Sequence, residues 1–203
     1  MNNKVKAVIE NLQRRKIKAQ YFDSREAVIK AILEESTNDQ VVGIGGSMTI
    51  KELNLHEVLK DEGKEIHWHW LVDLQKRNEV RQKAASADVY LTSTNALTET
   101  GDLVNIDGVG NRVSAMYYGP KKVIVICGIN KITSDVTSAM ERIKKEACPP
   151  NAKRLGLKTP CAVTGECNDC RSEQRMCNIT TIISHKPMAM ELHVYIVGEP
   201  LGY

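Results

Sequence analysis

The sequence predicts an α/β domain built on a mainly parallel sheet. Short β-branched runs recur along the chain, VVGI at 41–44, DVYLT at 88–92, KKVIVICG at 121–128 and ELHVYIVG at 191–198, and their near-continuous apolar character fits strands covered on both faces. Stretches with helical spacing lie between them, and a strand-helix alternation is the signature of a parallel sheet with crossover helices. With 203 residues, 42% of them hydrophobic, the chain has enough apolar surface for one domain over residues 1–203.

The elements follow in order. Val5, Val8, Ile9 and Leu12 share one helical face, and Asp23 with Glu26 forms a capping-box pattern ahead of Val28, Ile29, Ile32 and Leu33, so two amphipathic helices open the chain. The run at 41–44 ends at Gly45 and Gly46, and a helix from Ser47 or Thr49 through Leu53 follows. EIHWHWL alternates Ile66, Trp68 and Trp70 against His67 and His69, which predicts a strand. A charged helix spans 74–86, a long polar loop fills 92–112, and Asp135 opens a helix carrying Val136, Ala139, Met140 and Ile143.

Composition excludes some functions. Twenty-eight basic residues against 25 acidic ones leave a net charge of +3, too near balance to bind nucleic acid, and one Phe with six Tyr offers no surface for stacking bases. No apolar run is long enough for a signal-peptide core or a membrane span, so the expectation is a cytoplasmic protein with reduced thiols.

In an open parallel sheet, ligands bind beyond the carboxyl ends of the strands. Gly45, Gly46 and Ser47 follow one strand, with backbone N–H groups open to a small anionic ligand. Asn95, Glu99, Asp107 and Asn111 lie in the loop after another, Lys131 follows a third, and Glu199 follows the last. Glu99 and Asp107 are the candidate catalytic carboxylates and the others candidate ligand-binding residues. Blander readings stand beside these: a GGS turn that only caps a helix, a solvated Lys131, and a β-hairpin turning at TGD with LVNI as its return strand, leaving Glu99 in water. His67 and His69, among tryptophans and without a carboxylate nearby, read as structural.

Residues 160–178, PCAVTGECNDCRSEQRMCN, hold four of the six cysteines, Cys161, Cys167, Cys170 and Cys177. They form the core of a cysteine-rich segment at about 148–180. A Cys-x-x-Cys pair presents two thiolates to one metal from a tight turn, and the outer cysteines complete a four-thiolate shell. An iron–sulfur cluster tolerates the uneven spacing; zinc is the alternative. Cys127 reads as a core residue and Cys148 as a fifth thiol.

The segments VVGIGGSMTIKEL, ADVYLTSTNALTETGDLVNIDGVGNRVSAMYYGPKKVIVICGINKI and HVYIVGEPLGY resemble the LUD-domain family, the lactate-utilisation proteins of bacteria, and the cysteines resemble its short subgroup. The resemblance implies a three-layer sandwich of the sugar-phosphate isomerase and CoA-transferase type. It also implies an iron–sulfur component of small hydroxy-acid oxidation, working with an iron–sulfur redox partner protein. In CoA transferases of that superfamily a glutamate in a Glu-Asn-Gly loop forms a thioester; Glu99, Thr100 and Gly101 stand in the similar loop, with threonine replacing asparagine. A transferase or hydrolase acting on a CoA- or phosphate-bearing metabolite, with a structural zinc site, is the second reading, and a noncatalytic assembly subunit the third. Assembly into a homo-oligomer is left open.

Overall fold

The computed structural model describes residues 1–35 and 41–203. Helix α1 (Asn3–Arg14) is capped by Asn2, whose side chain accepts from the Val5 N–H, and buries Val5, Val8 and Leu12. Strand β1 (Lys18–Phe22) and helix α2 (Arg25–Glu35) follow, then β2 (Val41–Ile44), α3 (Met48–Glu52), α4 (Leu55–Asp61) and β3 (Glu65–Trp68). Two 3-10 turns lead into α5 (Arg77–Ala85) and β4 (Val89–Thr92). The loop region holds β5 (Ala96–Thr98), β6 (Leu103–Asp107) and α6 (Asn111–Ala115). After β7 (Lys122–Gly128), a 3-10 turn (Ile129–Lys131) precedes β8 (Ile132–Thr133). Helix α7 (Val136–Arg142) runs through a π-helical turn (Ile143–Ala147) into α8 (Cys148–Arg154), followed by α9 (Pro160–Thr164), β9 (Ile179–Ile183) and β10 (Glu191–Val197).

Six strands form one all-parallel sheet in the order β1-β10-β7-β4-β2-β3. The alternation along β7 explains the three layers. Val123, Val125 and Cys127 pack on one face with α1 residues Val5, Val8 and Leu12, whereas Ile124 and Ile126 pack on the other with Val28, Ile32, Leu55 and Leu59. Both faces are therefore covered, and the continuous apolar runs of the sequence have their cause. Close packing reaches the backbone at Gly43, where a Cβ would stand 2.2 Å from the Ala84 carbonyl oxygen of α5. Among the described residues, no helix is long and apolar enough to cross a membrane.

A second sheet, β8-β5-β6-β9, lies within and beyond the expected loop. Strands β5 and β6 pair antiparallel, Ala96 opposite Val104, so the hairpin reading of 92–112 is the one the chain adopts. Strand β1 was not anticipated: it is an edge strand whose Lys18 and Gln20 are polar, so it lacks the apolar run that marks its neighbours. The expected strand at 65–71 ends at Trp68, because His69–Leu71 turn into a 3-10 helix. At α2 the Ser24 hydroxyl, not Asp23, accepts from a first-turn N–H, that of Ala27. At α3 the cap is Ser47, which leaves the Thr49 hydroxyl for another partner.

The hairpin is tied to α1 by a buried ion pair. Arg15 Nη1 donates to Asp102 Oδ1 at 2.5 Å and to the Ser184 carbonyl, while the Thr98 and Thr100 hydroxyls donate to Asp102 Oδ2. Burial raises the Asp102 pKa, but these hydrogen bonds, led by that from Arg15, outweigh it and bring it down to about 2. The unfolded value is about 3.9, so the folded state binds this proton less tightly. Its stabilisation is full above about pH 4 and is lost as pH falls toward 2, by about 1–2 kcal/mol after solvent screening. Asp102→Asn is expected to flatten the pH dependence of urea-unfolding free energy between pH 4 and 2.

Candidate functional site

The order of the main sheet reverses direction at β2. Strand β3 lies on one side of it and β4 on the other, so loops leaving the carboxyl ends of β2 and β4 diverge and leave a crevice. A cavity of about 230 Å³ opens there, walled by Gly46 and Ser47 after β2, Ser93, Thr94 and Asn95 after β4, and Lys131 after β7. Asp107, Asn111 and Arg112 come from the second sheet and α6, His69 and Trp70 from the 3-10 turn after β3, Arg81 from α5, and Asn151 and Arg154 from α8.

Arg112 forms the floor. Its guanidinium donates to Asp107 Oδ2, the Ser93 carbonyl, Asn105 Oδ1, Asn95 Oδ1 and the Ile106 carbonyl, at 2.7–3.3 Å. Every N–H of the fork is thus committed to the protein. Gly45 makes room for it: a Cβ there would lie 3.2 Å from Arg112 Cγ and closer still to the Tyr90 and Thr92 hydroxyls. The clamp also fixes Asn95, whose Oδ1 additionally accepts from the Ile106 N–H, leaving the Asn95 amide donors for the cavity.

Lys131 is 3% exposed, and its Nζ donates to Thr49 Oγ1 at 2.9 Å and Ser93 Oγ at 3.0 Å. Burial, reinforced by Arg142 and Arg112, pulls its amine down to about 7. His69 is buried with Nδ1 unpaired, and burial, with Arg81 and Arg77 beside it, lowers its imidazole to about 4, so it is neutral at physiological pH. Arg81 Nε is likewise buried without a hydrogen-bond partner. Arg154 lies over the Trp70 ring, 4.5 Å from its centroid. Among the described residues the walls hold Arg81, Arg112, Lys131 and Arg154 with Asp107, which Arg112 already pairs, as the one acidic side chain, a balance that would suit a small anion.

A family model for the LUD domain matches residues 5–197. The chain belongs to the LUD-domain family. The crystal structure of a DUF162 family protein from Deinococcus radiodurans superposes on this LUD domain with a TM-score of 0.57, at 15% sequence identity over 96% of each chain. That likeness is one of fold. No curated protein matches the chain.

The structure of this LUD domain brings Gly46, Ser47, Asn95, Asp107, Asn111 and Lys131 to one cavity, with Gly45 just beneath. Two of the sequence candidates lie elsewhere. Glu99 is in the hairpin turn, where its carboxylate pairs with Lys4 at 2.9 Å on the surface, because the turn packs against α1 and Asn11 donates to the Glu99 carbonyl. Glu199 accepts from the backbone N–H and Nε of Arg25 and so caps α2. His69, Trp70, Arg81, Arg112 and Arg154 were not anticipated as a set. The one local cue was Arg112 directly after GVGN, a charge entering a helix from a glycine turn.

The four clustered cysteines line a second cavity of about 200 Å³, together with Lys144, Asp169 and Arg175. Arg175 gathers the segment, donating to the Cys170 and Cys177 carbonyls and to Asp169. Cys148 joins from α8, its Sγ 3.5 Å from that of Cys177. Within this pair the hydrogen bond between the two thiols lowers the Cys177 thiol and raises that of Cys148, which burial pushes further up. Among the described residues, no group of three or more His, Cys, Asp or Glu side chains is set closely enough to hold a metal ion. The cysteine cavity meets the 92–112 segment at Ile106, far along the hairpin from Glu99.

Arg112→Lys is expected to destabilise the protein by about 3 kcal/mol in urea unfolding. An ammonium cannot replace a planar five-donor fork, and Asp107 is left buried with an incomplete partner.

Proposed function

We propose that this LUD-domain protein is a cytoplasmic iron–sulfur component of the oxidation of a small hydroxy acid of the lactate type, working with an iron–sulfur redox partner. The observation that carries the reading is the sharing of a wall. Ile106 and Met176 line both the cationic cavity and the cysteine cavity, and Cys148 on one side reaches Cys177 on the other.

What supports an iron–sulfur cluster is the chemistry of the donors and not their present spacing, which is wider than a metal shell. Four soft thiol ligands from one short segment surround a common space, and Arg175 holds two of their carbonyls. A single tetrahedral zinc would need its four sulfurs drawn to one point, roughly 3.8 Å from one another given Zn–S bonds of about 2.3 Å. The ring of thiols around a cavity is more readily matched to a polynuclear centre. Cys161, Cys167, Cys170 and Cys177 would hold it, and when bound it would supply one-electron acceptance.

The chain's own residues account for substrate binding. Arg81 and Arg154 attract the carboxylate, the Asn95 amide orients it, and Lys131 faces the carbon-bound oxygen as proton donor or acceptor.

Protein purified without oxygen is expected to contain iron and acid-labile sulfide in equal amounts, with visible absorption that bleaches on reduction. Cys170→Ala should lose at least about tenfold of both. Zinc in place of iron, or iron content unchanged in Cys170→Ala, would remove this reading.

A further inference from the structure

We infer that Lys131 is a nucleophile that forms an imine with the carbonyl carbon of a small 2-oxo acid bound in the strand-end cavity. The inference rests on reading that cavity as an anion site and is independent of what the cysteines hold.

Hydrogen bonding around Nζ carries the argument. Thr49 Oγ1 donates its own proton to the Leu201 carbonyl, and Ser93 Oγ donates to the Thr94 carbonyl, each at 3.3 Å. Toward Lys131 both hydroxyls can therefore act only as acceptors, which aims two N–H bonds and fixes the orientation of the amine. One position on nitrogen is left, a third proton in the ammonium form and a lone pair in the amine.

The surroundings favour the amine. The side chain is buried against the cavity, and no carboxylate forms an ion pair with it among the described residues. The groups that bear on it are Arg142 from α7, Arg112 from α6, Cys127 from β7 and, most weakly, Glu52 at the end of α3. The two guanidiniums oppose a third positive charge. Cys127 brings no counter-charge, because burial pushes its thiol up to about 12 and keeps it protonated. A buried lysine held without a counter-ion and opening on a cavity is the arrangement that makes an amine nucleophilic.

The substrate class follows from the other walls. Arg81, Arg154 and the Asn95 amide line the same cavity and supply donors for a carboxylate, and the carbon next to that carboxylate is the one a neighbouring amine reaches. The nitrogen lone pair forms a C–N bond as the carbonyl π electrons pass to oxygen. A proton moves from nitrogen to that oxygen to give a carbinolamine. Loss of water then leaves the imine, with no oxidant or reductant required.

The test uses the full chain, purified without oxygen, with pyruvate as probe and sodium cyanoborohydride to deliver hydride to any imine carbon. Peptide mass spectrometry is expected to find one N-(1-carboxyethyl) group at Lys131, formed at least about tenfold faster than on any surface lysine, because its amine fraction near pH 7 is far larger. The rate should rise through pH 7 and level off by about pH 8, and Lys131→Arg should abolish the adduct while leaving slow surface labelling unchanged. Labelling spread over surface lysines with none at Lys131, or a Lys131 rate still climbing above pH 9, overturns the proposal. Iron-free protein that still traps pyruvate at Lys131 would refute the iron–sulfur reading alone. Iron-containing protein that does not trap it would refute the imine alone.

Discussion

The structure around the strand ends depends on one buried cation. Arg112 sits where the main sheet, the hairpin and α6 meet, and its five N–H groups bind three carbonyl or amide oxygens of the hairpin side, one carbonyl after β4 and the Asp107 carboxylate. A buried guanidinium is costly to desolvate unless every donor is answered. Here all are answered, so the loop after β4 and strand β6 are held in one arrangement. Gly45, Asn95 and Asp107 owe their positions to that clamp, and so does the shape of the cavity.

The sheet was readable in the sequence wherever burial on both faces forced a continuous apolar run, as in β2, β7 and β10. It was unreadable where that force is absent. Edge strand β1 alternates polar and apolar residues, and β5 and β8, at three and two residues, are too short to show a period. They exist through pairing with distant segments, Lys18 with His193 and Leu97 with Ile132, which no local pattern records.

The site divides in the same way. Residues directly after strands, Gly46, Ser47, Asn95 and Lys131, could be placed because strand ends converge by topology. Glu199 obeyed the same rule in sequence yet faces α2, since β10 lies on the other side of β7 from the crevice at β2 and β4. Arg81 and Arg154 come from helices, whose faces are set by tertiary packing. Of the two expected helix starts, Ser47 is the cap, and the Thr49 hydroxyl is left to accept from Lys131. Cys148 stood apart from the cysteine-rich run, and only the path from the π-helical turn into α8 brings it to Cys177.

The wall of Ile106 and Met176 has a consequence for charge. Both side chains are apolar, and beside them the Cys148 and Cys177 thiols meet across the wall, so the path between the cavities is short. Under the proposed function, a carboxylate held by the arginines would disfavour added negative charge among the thiols, and electron-rich thiolates would weaken the hold on the carboxylate. By linkage the two penalties are equal. A wall this thin would couple anion affinity to the charge state of the cysteines without any movement of the chain.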